Sequence, residues 1–156
     1  MQSGLYIVGT PIGNLSDMSP RAIDVLKNVD LIAAEDTRVF GKLAAHFDIK
    51  TKRISCHEHN ERDVVPDIIE KIQSGLSVAI VSDAGMPGVS DPGFRMVRAA
   101  RDAGVDVSCV PYPSDNVPYI RAGVPGCICS YSSNQSTVVA VLSVVAQPAN
   151  INRETK

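Results

Sequence analysis

Ser77-Val78-Ala79-Ile80-Val81-Ser82-Asp83-Ala84-Gly85-Met86-Pro87-Gly88-Val89-Ser90-Asp91-Pro92-Gly93 decides the fold. Its first five residues form an apolar run of strand length and predict a buried strand. At the other end, Asp91 can cap a helix and Pro92 suits the first helical turn. Between strand and helix lies a loop with three glycines, in which Met86 is the only bulky side chain. Backbone N–H and C=O groups can therefore approach a ligand with no side chain in the way. A strand feeding a helix through such a loop is a unit of an open α/β sheet, and those sheets bind ligands at the carboxyl ends of their strands. A small-molecule site is expected at this point.

Working outward, strand-like and helix-like runs alternate. Leu5–Val8, Leu31–Ala34, Lys52–Ser55 and Val105–Val110 read as further strands. Ser19-Pro20 opens a helix that runs to Val29, and Val39–Phe47 reads as a short helix. Residues 62–74 place Val65, Ile68, Ile69 and Ile72 on one helical face, with Gly75 set to end the helix. A last helix covers Pro92–Ala103 and stops at Gly104. The fold class expected is α/β, a mostly parallel five-stranded sheet flanked by helices on both faces.

If the sheet is parallel, four polar segments fall on one edge: Gly9–Ser16, Glu35–Arg38, Cys56–Glu61 and the glycine loop. The other edge carries ordinary turns at Lys27–Asp30, Gln73–Gly75 and Asp102–Gly104. Gly9-x-Pro11-x-Gly13-Asn14 lacks the G-x-G-x-x-G spacing and the phosphate-loop lysine, and Pro11 removes an N–H donor. A nucleoside triphosphate is disfavoured, and a cationic or neutral ligand held partly by carbonyls fits better. Asp36 reads equally as a helix cap, with Arg38 exposed, or as part of a site. His57 and His59, at i and i+2, lack further ligands nearby, so a polar substrate-facing loop is favoured over a metal. Asp83 is placed either to face a cationic cofactor or to bond the loop's own N–H groups.

The chain has 156 residues, 44% of them hydrophobic and 21% charged, with a formal net charge of −2. That balance suits a soluble globular domain with its own core and gives no global argument for nucleic acid. Met1–Gly4 leads straight into a strand, which predicts no signal peptide. The longest apolar run, Val138–Ala146, is broken by Ser143 and falls far short of the roughly 20 residues of a membrane span. Cys56, Cys109, Cys127 and Cys129 form no C-x-x-C pair, and reduced thiols in a cytoplasmic setting are expected. From Pro113 to Asn152 the only charged residues are Asp115 and Arg121. Residues 1–125 are thus expected to form one domain and residues 126–156 an atypical tail.

Tyr6–Leu15, Ala34–Arg38, His57–Asn60 and Ser82–Gly93, in this order and spacing, closely resemble the tetrapyrrole methylase family, in its ribosomal RNA-modifying branch. The resemblance runs from about residue 4 to about residue 114. It implies S-adenosylmethionine as cofactor and methyl transfer to the ribose 2′-hydroxyl of a cytidine in the 16S rRNA of the small ribosomal subunit. Carried onto this sequence, it implies cofactor contacts from Thr10, Pro11, Gly13, Asp83, Ala84, Gly85, Gly88, Val89 and Ser114. Arg38, His57, Glu58 and Asn60 are the expected substrate-side residues, and Asp36 or His59 the expected general base. No membrane association is implied, and a homodimer is. Two departures stand out. Tyr112 occupies the glycine position of a Pro-Gly-Pro-Ser turn at Pro111–Ser114, and Pro118 would interrupt the helix that follows. Family members carry a second α/β domain that closes the cofactor cleft, and nothing after about residue 126 resembles it. The expectation is weak or no cofactor binding by this chain alone, the alternative being a non-catalytic remnant or an RNA- or partner-binding module.

Overall fold

The computed structural model describes residues 1–83, 85–87 and 93–110, with the backbone alone of 128–129 and 140–141. Five parallel strands, β1 (Gly4–Val8), β2 (Leu31–Ala34), β3 (Arg53–Ser55), β4 (Ser77–Val81) and β5 (Val107–Val110), lie in the order β3-β2-β4-β1-β5. Helices α1 (Pro20–Asn28), α2 (Thr37–His46), α3 (Glu61–Gln73) and α4 (Gly93–Asp102) connect them in turn. A short antiparallel pair, β6 (Ile128–Cys129) and β7 (Ala140–Val141), lies in the segment that the sequence marks as a tail.

Side chains of a strand point alternately to the two faces of a sheet, and a strand buried on both faces is apolar throughout. The register divides the core accordingly. Leu5, Ile7, Leu31, Ala33, Val78, Ile80 and Cys109 pack on one face against Val65, Ile68, Ile69 and Ile72 of α3 and Met96, Val97 and Ala100 of α4. Val8, Ile32, Ala34, Ala79, Val81 and Val110 pack on the other against α1 and α2. Right-handed crossovers account for the division: those through α1 and α2 step one way across the sheet, and those through α3 and α4 step back. Burying each of these aliphatic side chains is worth about 1.5–3 kcal/mol.

The helix ends follow their sequence signals. Ser19 Oγ accepts the Ala22 N–H with Pro20 at the first position of α1, and Asp36 accepts the Arg38 N–H at the start of α2. Gly75, at φ +109°, ends α3 in a Schellman closure: its N–H donates to Ile72 O and the Leu76 N–H to Lys71 O. α2 closes the same way through Asp48, a non-glycine residue at φ +53°, with the Ile49 N–H donating to Ala44 O. Several boundaries differ from the sequence reading by one or two residues, and one turn is new to it. α2 starts at Thr37 rather than Val39, because Asp36 is its cap. β5 starts at Val107 rather than Val105, because the Val105 N–H closes α4 onto Ala100 O. Leu15–Asp17 forms a 3₁₀ turn capped by Asn14, which the pattern of apolar residues did not signal.

Candidate functional site

β4 and β1 are neighbours, yet the chain leaves β1 toward one face and β4 toward the other. Such a switch point opens a crevice at the carboxyl ends of the strands. The two loops are tied together there. The Thr10 N–H donates to Gly85 O at 2.8 Å and the Gly85 N–H to Thr10 O at 3.0 Å, while Thr10 Oγ1 donates to Ser82 O at 3.0 Å. Thr10 is buried, as are Pro11 and Pro87. Gly85 sits at φ +86°, and Gly13, at φ +91°, faces open space on the side where a Cβ would stand. The Gly9 N–H donates to Val110 O, so the end of β5 lies beside the start of the β1 loop.

β2 is the next neighbour of β4, and its loop is clasped to the start of the glycine loop. Asp83 Oδ1 accepts the Asp36 N–H at 3.0 Å, and Glu35 Oε2 accepts the Asp83 N–H at 3.3 Å. The Asp83 carboxylate thus reaches across to the β2 loop. Glu35, Asp36 and Asp83 bring three carboxylates to the crevice. Arg38 answers one of them, with Nε and Nη2 donating to the two oxygens of Asp36 at 3.1 and 2.8 Å. That pairing holds the Asp36 carboxyl at about 2. The Arg38 side chain is otherwise 89% exposed.

The β3 loop is organised by Asn60. Its Oδ1 accepts the His57 N–H at 2.8 Å and its Nδ2 donates to Ser55 O at 3.0 Å. The side chain expected on the substrate side therefore shapes the loop, and it leaves Glu58 and His59 exposed. The His57 and His59 rings meet edge to face at 5.8 Å. Among the described residues no group of three or more metal-ligating side chains gathers. Sequence reasoning missed Glu61, which looks like an ordinary acidic residue in a first helical turn. It is 1% exposed, and its Oε1 accepts from Arg95 Nε of α4 at 2.8 Å, tying the start of α3 to the first turn of α4. Glu61 Oε2 and His57 Nδ1 are buried with no hydrogen-bond partner among the described residues. Burial, aided by the Glu61 charge, pushes the Cys56 thiol up to about 11. Ala84, Gly88, Val89, Asp91, Pro92, Tyr112, Ser114 and Pro118 lie outside the described residues.

Four motifs on one edge of a β3-β2-β4-β1-β5 sheet meet their match in a known family. A family model of the tetrapyrrole (corrin/porphyrin) methylases covers residues 4–114. The chain belongs to this family. Curated relatives named ribosomal RNA small subunit methyltransferase I include one from Vibrio cholerae, 52% identical over 122 residues, which are 78% of this chain and 42% of the relative. Another, from Synechocystis, is 53% identical over 107 residues, 69% of this chain and 38% of the relative. The chain thus spans roughly two fifths of the length of the curated relatives it matches. Among solved structures, a uroporphyrin-III-C-methyltransferase from Thermus thermophilus superposes with a TM-score of 0.56 at 22% identity, over 83% of this chain and 54% of that one. A second structure of that enzyme, complexed with S-adenosylhomocysteine, gives a TM-score of 0.55 at 17% identity, again over 83% of this chain and 54% of that one. At these identities the likeness bears on the fold, which the two share.

Proposed function

We propose that this methylase-family edge holds S-adenosylmethionine and serves methyl transfer to the ribose 2′-hydroxyl of a cytidine in 16S rRNA. The observation that carries the reading is the Thr10–Gly85 clasp at the β1/β4 switch point, inside a segment that matches relatives named as rRNA methyltransferases. The donor set suits a sulfonium cation. Glu35, Asp36 and Asp83 offer negative charge, and neither loop carries a lysine.

When bound, the cofactor supplies an electrophilic methyl group. In this reading its contacts are the ones that the family's motifs imply: Thr10, Pro11, Gly13, Asp83, Ala84, Gly85, Gly88, Val89 and Ser114. The ribose 2′-hydroxyl that would accept it must give up its proton, and a base within hydrogen-bond reach would take that proton. Asp36 and His59 are the two candidates. The Asp36 carboxylate is committed to Arg38 and is too weak a base near neutrality, so His59, exposed on the β3 loop, takes that role in this reading. Arg38 keeps three of its five N–H donors for a phosphate beside the target, and His57, Glu58 and Asn60 shape the entrance.

The test has two parts. S-adenosylmethionine added to isotopically labelled chain should shift the amide signals of Gly9–Gly13 and Ser82–Gly85, even at millimolar affinity, and ATP should leave them in place. Unmoved signals, or an equal response to ATP, would sink the cofactor assignment. In a full-length relative with the same motifs, alanine at the residue matching His59 should lower methylation of small subunits by 10²-fold or more. An unchanged rate would remove it as the base.

A further inference from the structure

On α2, residues 38, 42 and 46 stand one turn apart, each pair separated by about 6 Å of rise. They are Arg38, Lys42 and His46, all exposed, opposite the buried stripe of Phe40, Leu43 and Ala44. The chain then continues through Lys50, Lys52 and Arg53, also exposed, into the edge strand β3. From residue 37 to 53 there are five lysines and arginines and one carboxylate, Asp48, in a chain whose formal net charge is −2. Asp48 pairs with Lys50 and Asp36 with Arg38. Lys42, Lys52 and Arg53 form no ion pair among the described residues. The opposite layer is different. There Arg95 pairs with buried Glu61, Arg98 faces Asp102, and α3 carries four acidic residues against two basic ones.

We infer that the outer face of α2 and the segment leading into β3 form a docking strip for an RNA phosphate backbone, running from the crevice at Arg38 down the length of the domain. The ten residues of α2 span about 15 Å, and the segment to Arg53 extends the strip beyond it. Lys42, Lys52 and Arg53 are cations without an ion-pair partner among the described residues, and such cations attract a polyanion by releasing its counterions. The face lacks what other partners need. Gly41 and Ala45 lie between the cations, and Val39, 43% exposed, is the one large apolar side chain on the outer side of α2, so there is no aromatic anchor for a protein interface and too little apolar surface to enter a lipid layer. The choice of RNA among polyanions rests on the reading of the crevice given above; the strip itself rests on charge placement alone. Its contacts go to the backbone, so it fixes register and orientation and reads no sequence.

The test is fluorescence anisotropy with a labelled 20-base-pair RNA duplex of arbitrary sequence, from 50 to 200 mM KCl. With Arg38, Lys42, Lys52 and Arg53 engaged, the slope of log affinity against log salt should be about −3.6. The triple variant Lys42→Gln/Lys52→Gln/Arg53→Gln should weaken binding tenfold or more at 100 mM and flatten the slope by about 2.7. Arg62→Gln/Arg98→Gln, on the opposite layer, should change neither. Equal loss in both variants, or no loss in the triple, overturns the strip. Binding to phosphatidylserine vesicles without binding to the duplex overturns the choice of RNA. All three positions are exposed, so the triple variant should melt with the parent, and cofactor-induced shifts at Gly85 should persist in it. Loss of duplex binding with those shifts intact assigns the strip. Absent shifts in the parent chain count only against the crevice reading.

Discussion

Thr10 and Gly85, 75 residues apart, exchange both of their backbone hydrogen bonds, at 2.8 and 3.0 Å. This isolated antiparallel bridge sits at the carboxyl edge of an otherwise parallel sheet and joins the two loops whose strands diverge to opposite faces. Gly85 holds φ +86° to make it, and a Cβ there would stand 3.5 Å from Ile12 Cδ1. The space is adequate; the dihedral is not, since an L residue in this region costs about 1–2 kcal/mol. Gly85→Ala should therefore lose about that much stability in urea unfolding, and the cofactor-induced shifts at Thr10 should fade with it. A variant as stable as the parent would mean that the bridge is dispensable.

The Asp36 carboxyl, held at about 2 by Arg38, ties stability to pH. Its unfolded value is about 3.9, so the folded state binds this proton less readily than the unfolded state does. The contribution is full above pH 4 and is lost as pH falls through about 2. Asp36→Asn has no such carboxyl. The stability gap between parent and variant should shrink as pH is lowered from 5 to 2, measured by denaturant midpoints. A gap constant across that range would show that the pairing does not persist in solution.

Glu61 is 1% exposed and Arg95 46%. Truncating one partner of a buried pair leaves a charge without compensation, whereas replacing both does not. Arg95→Ala should cost about 2 kcal/mol, less than a fully buried pair because water reaches the arginine. Adding Glu61→Gln should return part of that loss, and a double-mutant cycle should give a coupling of about 1 kcal/mol. Additive effects would remove the pair as the tie between the β3 loop and α4.

Pro66 lies inside α3 on its exposed side, where it leaves the Arg62 carbonyl without a helical partner. Proline is up to about 3 kcal/mol less favourable than alanine in a helix interior. Pro66→Ala should raise the thermal midpoint without altering the core contacts of Val65, Ile68 and Ile69. A lowered midpoint would show that the proline shapes the helix to its neighbours.

Much of this protein was legible in the order of its residues. The apolar runs at 5–8, 31–34 and 77–81 specify strands buried on both faces, because no other element accommodates such short stretches between turn signals. Alternation of those runs with amphipathic helices imposes a parallel sheet, which places the residues after each strand on one edge. That is why Thr10, Asp36, His57 and Asp83 could be gathered into one region before any coordinates. Local caps are equally local in cause: Ser19-Pro20 and Gly75 act through bonds within a few residues of themselves.

Only the tertiary structure decided the strand order, since nothing in the spacing says that β4 inserts between β2 and β1. That order makes Thr10 and Gly85 neighbours and sets Asp83 against Asp36. It also decided which carboxylates are occupied. Asp36 reads the same in sequence whether it is a base or a cap, and its partner Arg38 becomes visible only when both side chains have positions. Glu61 gave no sign at all, because burial is a property of what packs around a residue: α4 arrives from 34 positions further along to cover it and to supply Arg95. Hydrogen bonds and ion pairs between distant segments depend on distances that the fold creates, and a linear pattern carries periodicity but not those distances.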